Sequence, residues 1–349
     1  MKNCLSHALA LLLALMTFAT QGVAAPSETS KARIGVILPL HGPFAKYGQR
    51  IQNGLQNSKL STFELLLEDE GCDPKVAITA YKKLSEVDGI ELFLGPWCGT
   101  PQIAVAPLIK AKKQLAVLGS SAPAAVFPLS GERMFSTQHT IESESEFMAQ
   151  SVYRLGFRKV AIVFFDNQFS RAHEKSFRQH FAGSVAKTFA YTSQDISELK
   201  TIALKIRQLG VDAVFVPDAF PLMAGFVKEL AQVGLASLPI FSVYSAQSED
   251  ALAAMGKYGE GFVYSYPDIG SADALDYFPG LAAKIMGEAA SSCGENIDCI
   301  RGYITGNYPF TKEGVLEGKL KLKTIHDGQF TDLSPQLETK WIELHQAKK

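Results

Sequence analysis

From Arg33 onward, short continuous apolar runs alternate with longer stretches in which apolar residues recur every three or four positions. RIGVILPL is followed by FAKYGQRIQNGLQNSK, FELLLEDE by PKVAITAYKKLSEV, ELFLGP by PQIAVAPLIKAKK, and LAVLGS closes the series. Leu-rich or β-branched runs without in–out alternation read as strands covered on both faces of a parallel sheet, with amphipathic helices between them. Asp73 before Pro74 and Thr100 before Pro101 each place a capping side chain ahead of a proline at the first helical position. After FSTQHTIESESEFMAQSVYRL the rhythm restarts. KVAIVFFD leads to SRAHEKSFRQHF, SVAKTFAY to ISELKTIALKIRQL, DAVFVPD to PLMAGFVKELAQV, and LPIFSVY follows. The second series repeats the first in rhythm though not in residues, which predicts an α/β protein of two doubly wound parallel-sheet domains. No Ser/Gly-rich or Pro-rich linker separates the halves, so crossing strands rather than a tether are expected to join them. Past Gly261 come FVYSYP, a modest helix (FPGLAAKIMGEAASS) and LKLKTIHDGQF, which alternates as an antiparallel strand does. The polar stretch 334–349 is expected to be only loosely tied down.

The N-terminus adds a compartment. Lys2, the apolar run Leu9 to Phe18 and the small residues Gly22 to Ala25 read as a secretory signal peptide over residues 1–24. Cleavage is placed after Ala24, because Pro26 would hinder a cut after Ala25, and the apolar run is short for a membrane span. Beyond it lie about 325 residues, enough for two domains. Apolar residues make up 47% of the chain, ample for substantial cores. Lys and Arg (34) nearly balance Asp and Glu (35), and no long basic run occurs, so nucleic acid is not an expected partner.

Export changes the meaning of the cysteines. Cys4 would leave with the leader, and four thiols in an oxidising compartment favour bridges. Cys293 and Cys299 flank Gly-Glu-Asn-Ile-Asp, a loop that a local bridge can close. Cys72 and Cys98 each follow a predicted strand end, so neighbouring parallel strands would bring them together. Reactive chemistry is poorly represented. There is no GxxxxGK[ST] and no dinucleotide fingerprint, and His180 follows His173-Glu174 three residues too late for a zinc-binding HExxH. Gly119-Ser120-Ser121-Ala122-Pro123 only approximates the hydrolase elbow GxSxG. The chain is read as a non-enzyme without metal or cofactor; a hydrolase using Ser120 or Ser121 is the weaker rival.

What remains is a set of strand ends, where doubly wound sheets bind ligands and helix N-termini direct free N–H groups outward. In the first half these are Leu40 to Pro43, Trp97 to Thr100, and Gly119 to Ser121. In the second they are Asp166 to Phe169, Asp218 to Phe220, and Tyr244-Ser245.

Taken together, IGVILPLHGPFAKYGQRIQNGLQ, EDEGCDPKVAITAYKKL, LFLGPWCGTPQIAVAPLI, LAVLGSSAP and KVAIVFFDNQFSRAHEKSF resemble the type I periplasmic solute-binding proteins, in particular the leucine/isoleucine/valine-binding group. The likeness covers most of residues 33 to 265 and returns at Leu320 to Phe330. It implies two lobes, joined by a three-strand hinge, that close on a small-molecule solute. On this resemblance the lobes are placed at 33–140 plus about 268–305 and at 141–267 plus about 306–333, with 334–349 as a polar tail. The resemblance also implies a periplasmic protein delivering its solute to an inner-membrane ABC permease, and a bridge between the positions of Cys72 and Cys98. A ligand-sensing regulatory role on the same fold is the alternative.

The family's amino-acid contacts carry over unevenly. Hydroxyls that hold a carboxylate fall at Gly99 and Ala122, and an acid that meets the ammonium falls near Ser245, and none of these residues supplies the group. Pocket tyrosines fall at Phe169 and near Ala219 or Phe220. Tyr47 matches a pocket aromatic, and Ser120 and Ser121 match the strand-end segment. Thr100 is a candidate replacement hydroxyl, Asp218 a candidate negative charge, and Tyr244 a further contact. With several charged-group partners gone, a more apolar or aromatic solute than an ordinary amino acid is expected.

Overall fold

The computed structural model describes residues 32–56, 63–192, 195–218, 222–316 and 318–346; the expected leader and Phe220 lie outside them. The first βα series comprises β1 (Ala32–Leu38), α1 (Ala45–Gln56), β2 (Phe63–Asp69), α2 (Pro74–Lys82), β3 (Leu92–Leu94), α3 (Gly99–Lys112), β4 (Leu115–Leu118), α4 (Val126–Ser130) and β5 (Met134–Ser136). Its five strands form one parallel sheet in the order β2-β1-β3-β4-β5.

The second series runs α5 (Ile141–Arg154), β6 (Lys159–Phe165), α6 (Gln168–His180), β7 (Ser184–Tyr191), α7 (Ile196–Leu209), β8 (Ala213–Phe215), α8 (Leu222–Leu230), β9 (Ile240–Ser242), α9 (Glu249–Met255) and β10 (Val263–Pro267). Its parallel strands order as β7-β6-β8-β9-β10, the same winding as the first sheet. Each sheet is a doubly wound unit with helices on both faces, as continuous apolar strands require. Phe93 in β3 and Phe215 in β8 have no solvent exposure. Burying one such ring contributes about 1.5–3 kcal/mol.

The chain then returns. Helices α10 (Ala274–Cys293) and α11 (Ile297–Asn307) pack into the core of the first sheet, where Ala282, Met286 and Ile304 join Ile34 and Val36. The approach is close: a Cβ on Gly119, just past β4, would lie 2.7 Å from Pro279 Cα, so only glycine fits there. Strands β11 (Leu320–His326) and β12 (Gln329–Asp332) then extend the second sheet as an antiparallel hairpin beside β10. Asp327 and Gly328 both take positive φ at its tip, the backbone of a tight Asp-Gly hairpin turn. Three connections therefore join the sheets, at 137–140, 268–273 and 308–319. The end of β5 and the third connection bond directly, through Ser136 N–H to Gly314 O and Leu316 N–H to Ser136 O.

Two sequence expectations need correction. Asp73 does cap α2, accepting from the Lys75 and Val76 N–H groups, but Thr100 does not cap α3. That helix begins two residues earlier, at Gly99, with Cys98 at the cap and no side-chain acceptor there, so Thr100 sits in its first turn. The stretch 334–349 is also not a loose tail. Most of it is α12 (Pro335–Gln346), whose Trp341 is buried against Phe157 and Phe241 and donates from Nε1 to the Gly261 carbonyl at 2.8 Å. Leu337, Trp341 and Ile342 make a narrow apolar stripe in a polar segment, enough to dock a helix. Among the described residues no helix is long and apolar enough to cross a membrane.

Candidate functional site

A cavity of about 300 Å³ lies beyond the carboxyl ends of the strands of both sheets, the position that doubly wound topology offers to ligands. Each wall comes from a segment that follows a strand. The first sheet contributes Phe44 and Tyr47 after β1, Cys72 after β2, Trp97 to Thr100 after β3, and Ser121 after β4. The second contributes Phe165, Asn167 and Phe169 from the β6–α6 junction, Tyr244, Ser245 and Gln247 after β9, and Tyr266 at β10; Asp273 to Leu275 open α10. Tyr47 stacks on Trp97 with centroids 5.7 Å apart and planes at 25°. Burial raises the Tyr47 and Tyr244 hydroxyls well above the ordinary tyrosine range, so both stay neutral.

Beneath these walls lie three carboxylates with no solvent exposure, each holding a different wall by its backbone. Glu70, just past β2, accepts the Trp97 N–H on Oε2 (3.1 Å) and the Cys98 N–H on Oε1 (2.8 Å). Asp218, past β8, accepts the Phe165 N–H (2.9 Å), the Ser170 hydroxyl (2.8 Å) and the Tyr191 hydroxyl (2.5 Å). Glu144, in the first turn of α5, accepts the Tyr244 N–H (2.9 Å) and the Ser265 hydroxyl (2.5 Å) on Oε1. Their protonation differs with their surroundings. Burial drives Glu70 well above the usual carboxylate range, the two N–H bonds opposing it only in part. Burial likewise lifts Asp218, to about 6, against its three donors. Burial also pushes Glu144 up, but the His139 imidazole, with His173 and Ser265 behind it, outweighs that and leaves its pKa lowered.

Of the residues expected at the site, Tyr47, Gly99, Thr100, Ser121, Phe169 and Tyr244 line the cavity. Ser120 does not. Its hydroxyl donates to the Trp97 carbonyl and accepts from the Gln102 amide, both at 2.9 Å, which fixes the loop rather than a ligand. Asp218 does not either: its oxygens are taken up beneath the wall and cannot face an ammonium group. The structure bridges Cys72 to Cys98 (Cα–Cα 5.3 Å) and Cys293 to Cys299 (5.6 Å). The first bridge ties the turn before α2 to the start of α3, so Cys98 is a staple in the cavity wall. Tyr266, Gln247 and Asp273 were not expected. A strand-end reading extended to FVYSYP would have caught Tyr266, but nothing local marks the other two.

Besides its aromatic faces, the lining offers hydrogen-bond donors. The uncapped first turn of α3, at Gly99 and Thr100, presents N–H groups with no intrahelical acceptor and the positive end of the helix dipole. Asn167, at the cap of α6, and Gln247 add side-chain amides. Among the described lining residues the one carboxylate is Asp273. It is paired with Arg50 at 2.9 Å and also accepts the Leu275 N–H. Ser121 has Tyr244 rather than an imidazole beside it, the hydroxyls 3.4 Å apart.

The profile of the family described as "Periplasmic binding protein" matches residues 31–292. A curated relative, Leu/Ile/Val-binding protein homolog 6 of Brucella melitensis biotype 1, is 24% identical over 296 residues, covering 80% of this chain and 75% of the relative. Among solved structures, a leucine-binding protein of Thermotoga maritima MSB8 aligns with a TM-score of 0.78 at 18% identity, over 87% of this chain and 98% of that one. A solute-binding protein of an R. palustris ABC transporter, solved with benzoate, aligns at 0.79 and 15% identity, over 87% and 96%. At such identities the structural likeness speaks to the fold alone.

Proposed function

The chain belongs to the periplasmic binding protein family, and on that premise we propose that it captures an aromatic or otherwise apolar carboxylate between its two sheets. After export to the periplasm and loss of residues 1–24, it would hand that solute to an ABC permease. The observation that carries this reading is the pairing of aromatic walls with an uncapped helix start, in a cavity where the one carboxylate among the described lining residues is held by Arg50. A free amino acid would bring an ammonium group with no unengaged acid among the described lining residues to meet it, and leaving such a charge unpaired costs about 1–3 kcal/mol or more. An aromatic acid has no such group, and its ring suits the Tyr47–Trp97 stack and Phe169. The benzoate complex of the R. palustris protein supports the fold's capacity for such solutes.

The test is thermal unfolding of mature protein, stripped of carried ligand by refolding, against benzoate, hydroxybenzoates, leucine, isoleucine and phenylalanine. A solute at about a thousand times its dissociation constant adds roughly 4 kcal/mol and visibly raises Tm. Aromatic carboxylates are expected to stabilise, and Tyr47→Ala or Phe169→Ala to weaken the effect. Stabilisation by the amino acids alone, or by nothing in the panel, would sink the proposal.

A further inference from the structure

Tyr244 is where three parts of the chain meet. Its hydroxyl lies 3.4 Å from that of Ser121, beyond the first sheet. Its N–H is held by Glu144 Oε1 on α5, which also takes the Ser265 hydroxyl from β10. Its ring packs at 88° to the imidazole of His139, in the first connection between the sheets, with centroids 6.1 Å apart. The other Glu144 oxygen, Oε2, faces His139 Nε2 at 3.3 Å and His173 Nε2 at 3.8 Å. All three atoms are buried, and none has a well-formed hydrogen bond. The Nδ1 of His173 lies 2.6 Å from the Ser145 hydroxyl. The titratable groups facing Glu144 are therefore His139 from the connection, His173 from α6 and Tyr244 from the turn after β9, while β10 offers only a hydroxyl.

We propose that Glu144 is the positioning residue for the Tyr244 wall, and that protonation of His139 against it fastens the first inter-sheet connection to that wall, making assembly of the cavity proton-linked. That this cavity is a solute site rests on the reading above. The chemistry is short. A neutral imidazole presents Nε2–H in only one of its tautomers, whereas an imidazolium always does. Protonated His139 gives Oε2 a charge-assisted hydrogen bond, which favours the arrangement in which Tyr244 also reaches Ser121 from the other sheet. His173 does not take this role: burial brings it down to about 4, and the attraction of Glu144 does not restore it. By linkage, a solute that favours the assembled cavity takes up a proton on binding.

The experiment needs no solute, so it succeeds or fails independently of the solute reading. The mature protein is labelled with ring-¹³C tyrosine, the Tyr244 resonance is assigned with Tyr244→Phe, and it is followed by NMR from about pH 8 to about pH 5, the range in which histidines titrate. In the wild type the resonance should move with pH; in His139→Gln and in Glu144→Gln the response should be lost. Should Glu144→Gln not fold, His139→Gln, which leaves the Tyr244 N–H bond in place, carries the test. A wild-type resonance that stays fixed, or one that moves as far in the folded variants, overturns the proposal.

Discussion

Glu70, Asp218 and Glu144 are not offered to a ligand; each holds the backbone or a hydroxyl of a residue that helps form the cavity. Asp218 gives this arrangement a signature. Burial lifts its pKa from 3.8 to about 6, so folding favours the neutral acid. Its stabilising contribution is complete below about pH 4 and is lost as pH rises through about 6, a swing of about 3 kcal/mol. Asp218→Asn keeps the size without the titration, so its urea-unfolding free energy should lack that decline between pH 4 and pH 7. Parallel profiles for the two proteins would mean that folding does not raise the pKa of this carboxyl. The sequence made Asp218 look like a ligand because it ends a strand run, DAVFVPD, at the same place as real lining residues. Whether a side chain at a strand end turns up into the cavity or back under the wall depends on neighbours remote in sequence, here Tyr191 and Ser170. Glu70 and Glu144 gave no sign at all, since an acid in a polar loop or on a helix's first turn is ordinarily solvated. Thr100 and Phe169, which line the cavity, were legible as residues just past apolar strand runs, whereas Tyr47, on α1, was marked only by the family resemblance.

At the level of elements, periodicity carried most of the fold. Continuous apolar runs specify strands buried on both faces, and such strands lead to parallel order and helical cover. It failed at α12, where four apolar residues in a polar segment, three of them turned to the core, leave too weak a pattern to predict a docked helix. The energy is nonetheless concentrated. Trp341 is packed among aromatic rings from the loop before β6 and from β9, and it bonds the Gly261 carbonyl. Trp341→Ala should cost about 3–5 kcal/mol, read as a lower urea midpoint with an unchanged slope. Arg154→Ala, which removes only the exposed ion pair to Glu338, should cost less than about 1 kcal/mol. A mild effect of Trp341→Ala would return residues 334–349 to the loose tail their composition suggests.

For the whole molecule, two windings of the same strand order face a shared cavity, and the question is what keeps the halves together over a solute. One candidate is the pair between Lys46 Nζ on α1 and Asp250 Oδ2 on α9, 2.8 Å apart and joining helices that flank different sheets. The side chains are 83% and 53% exposed, and ion pairs in that setting contribute about 0–1 kcal/mol. The adjacent Tyr47 is buried and stacked on Trp97. A ligand shifts a two-state equilibrium only by its differential affinity for the two states, so closure should follow the residues that touch the guest. Lys46→Ala should change the calorimetric Kd for whichever solute the thermal panel selects by less than about fivefold. Tyr47→Ala, one residue along the same helix, should weaken it about a hundredfold or more, as buried aromatic anchors do. Scattering should agree: the fall in radius of gyration on adding solute should persist in Lys46→Ala and require far more solute in Tyr47→Ala. If Lys46→Ala lost most of the affinity instead, the surface pair would be the clasp, and the aromatic walls would select the solute without driving closure.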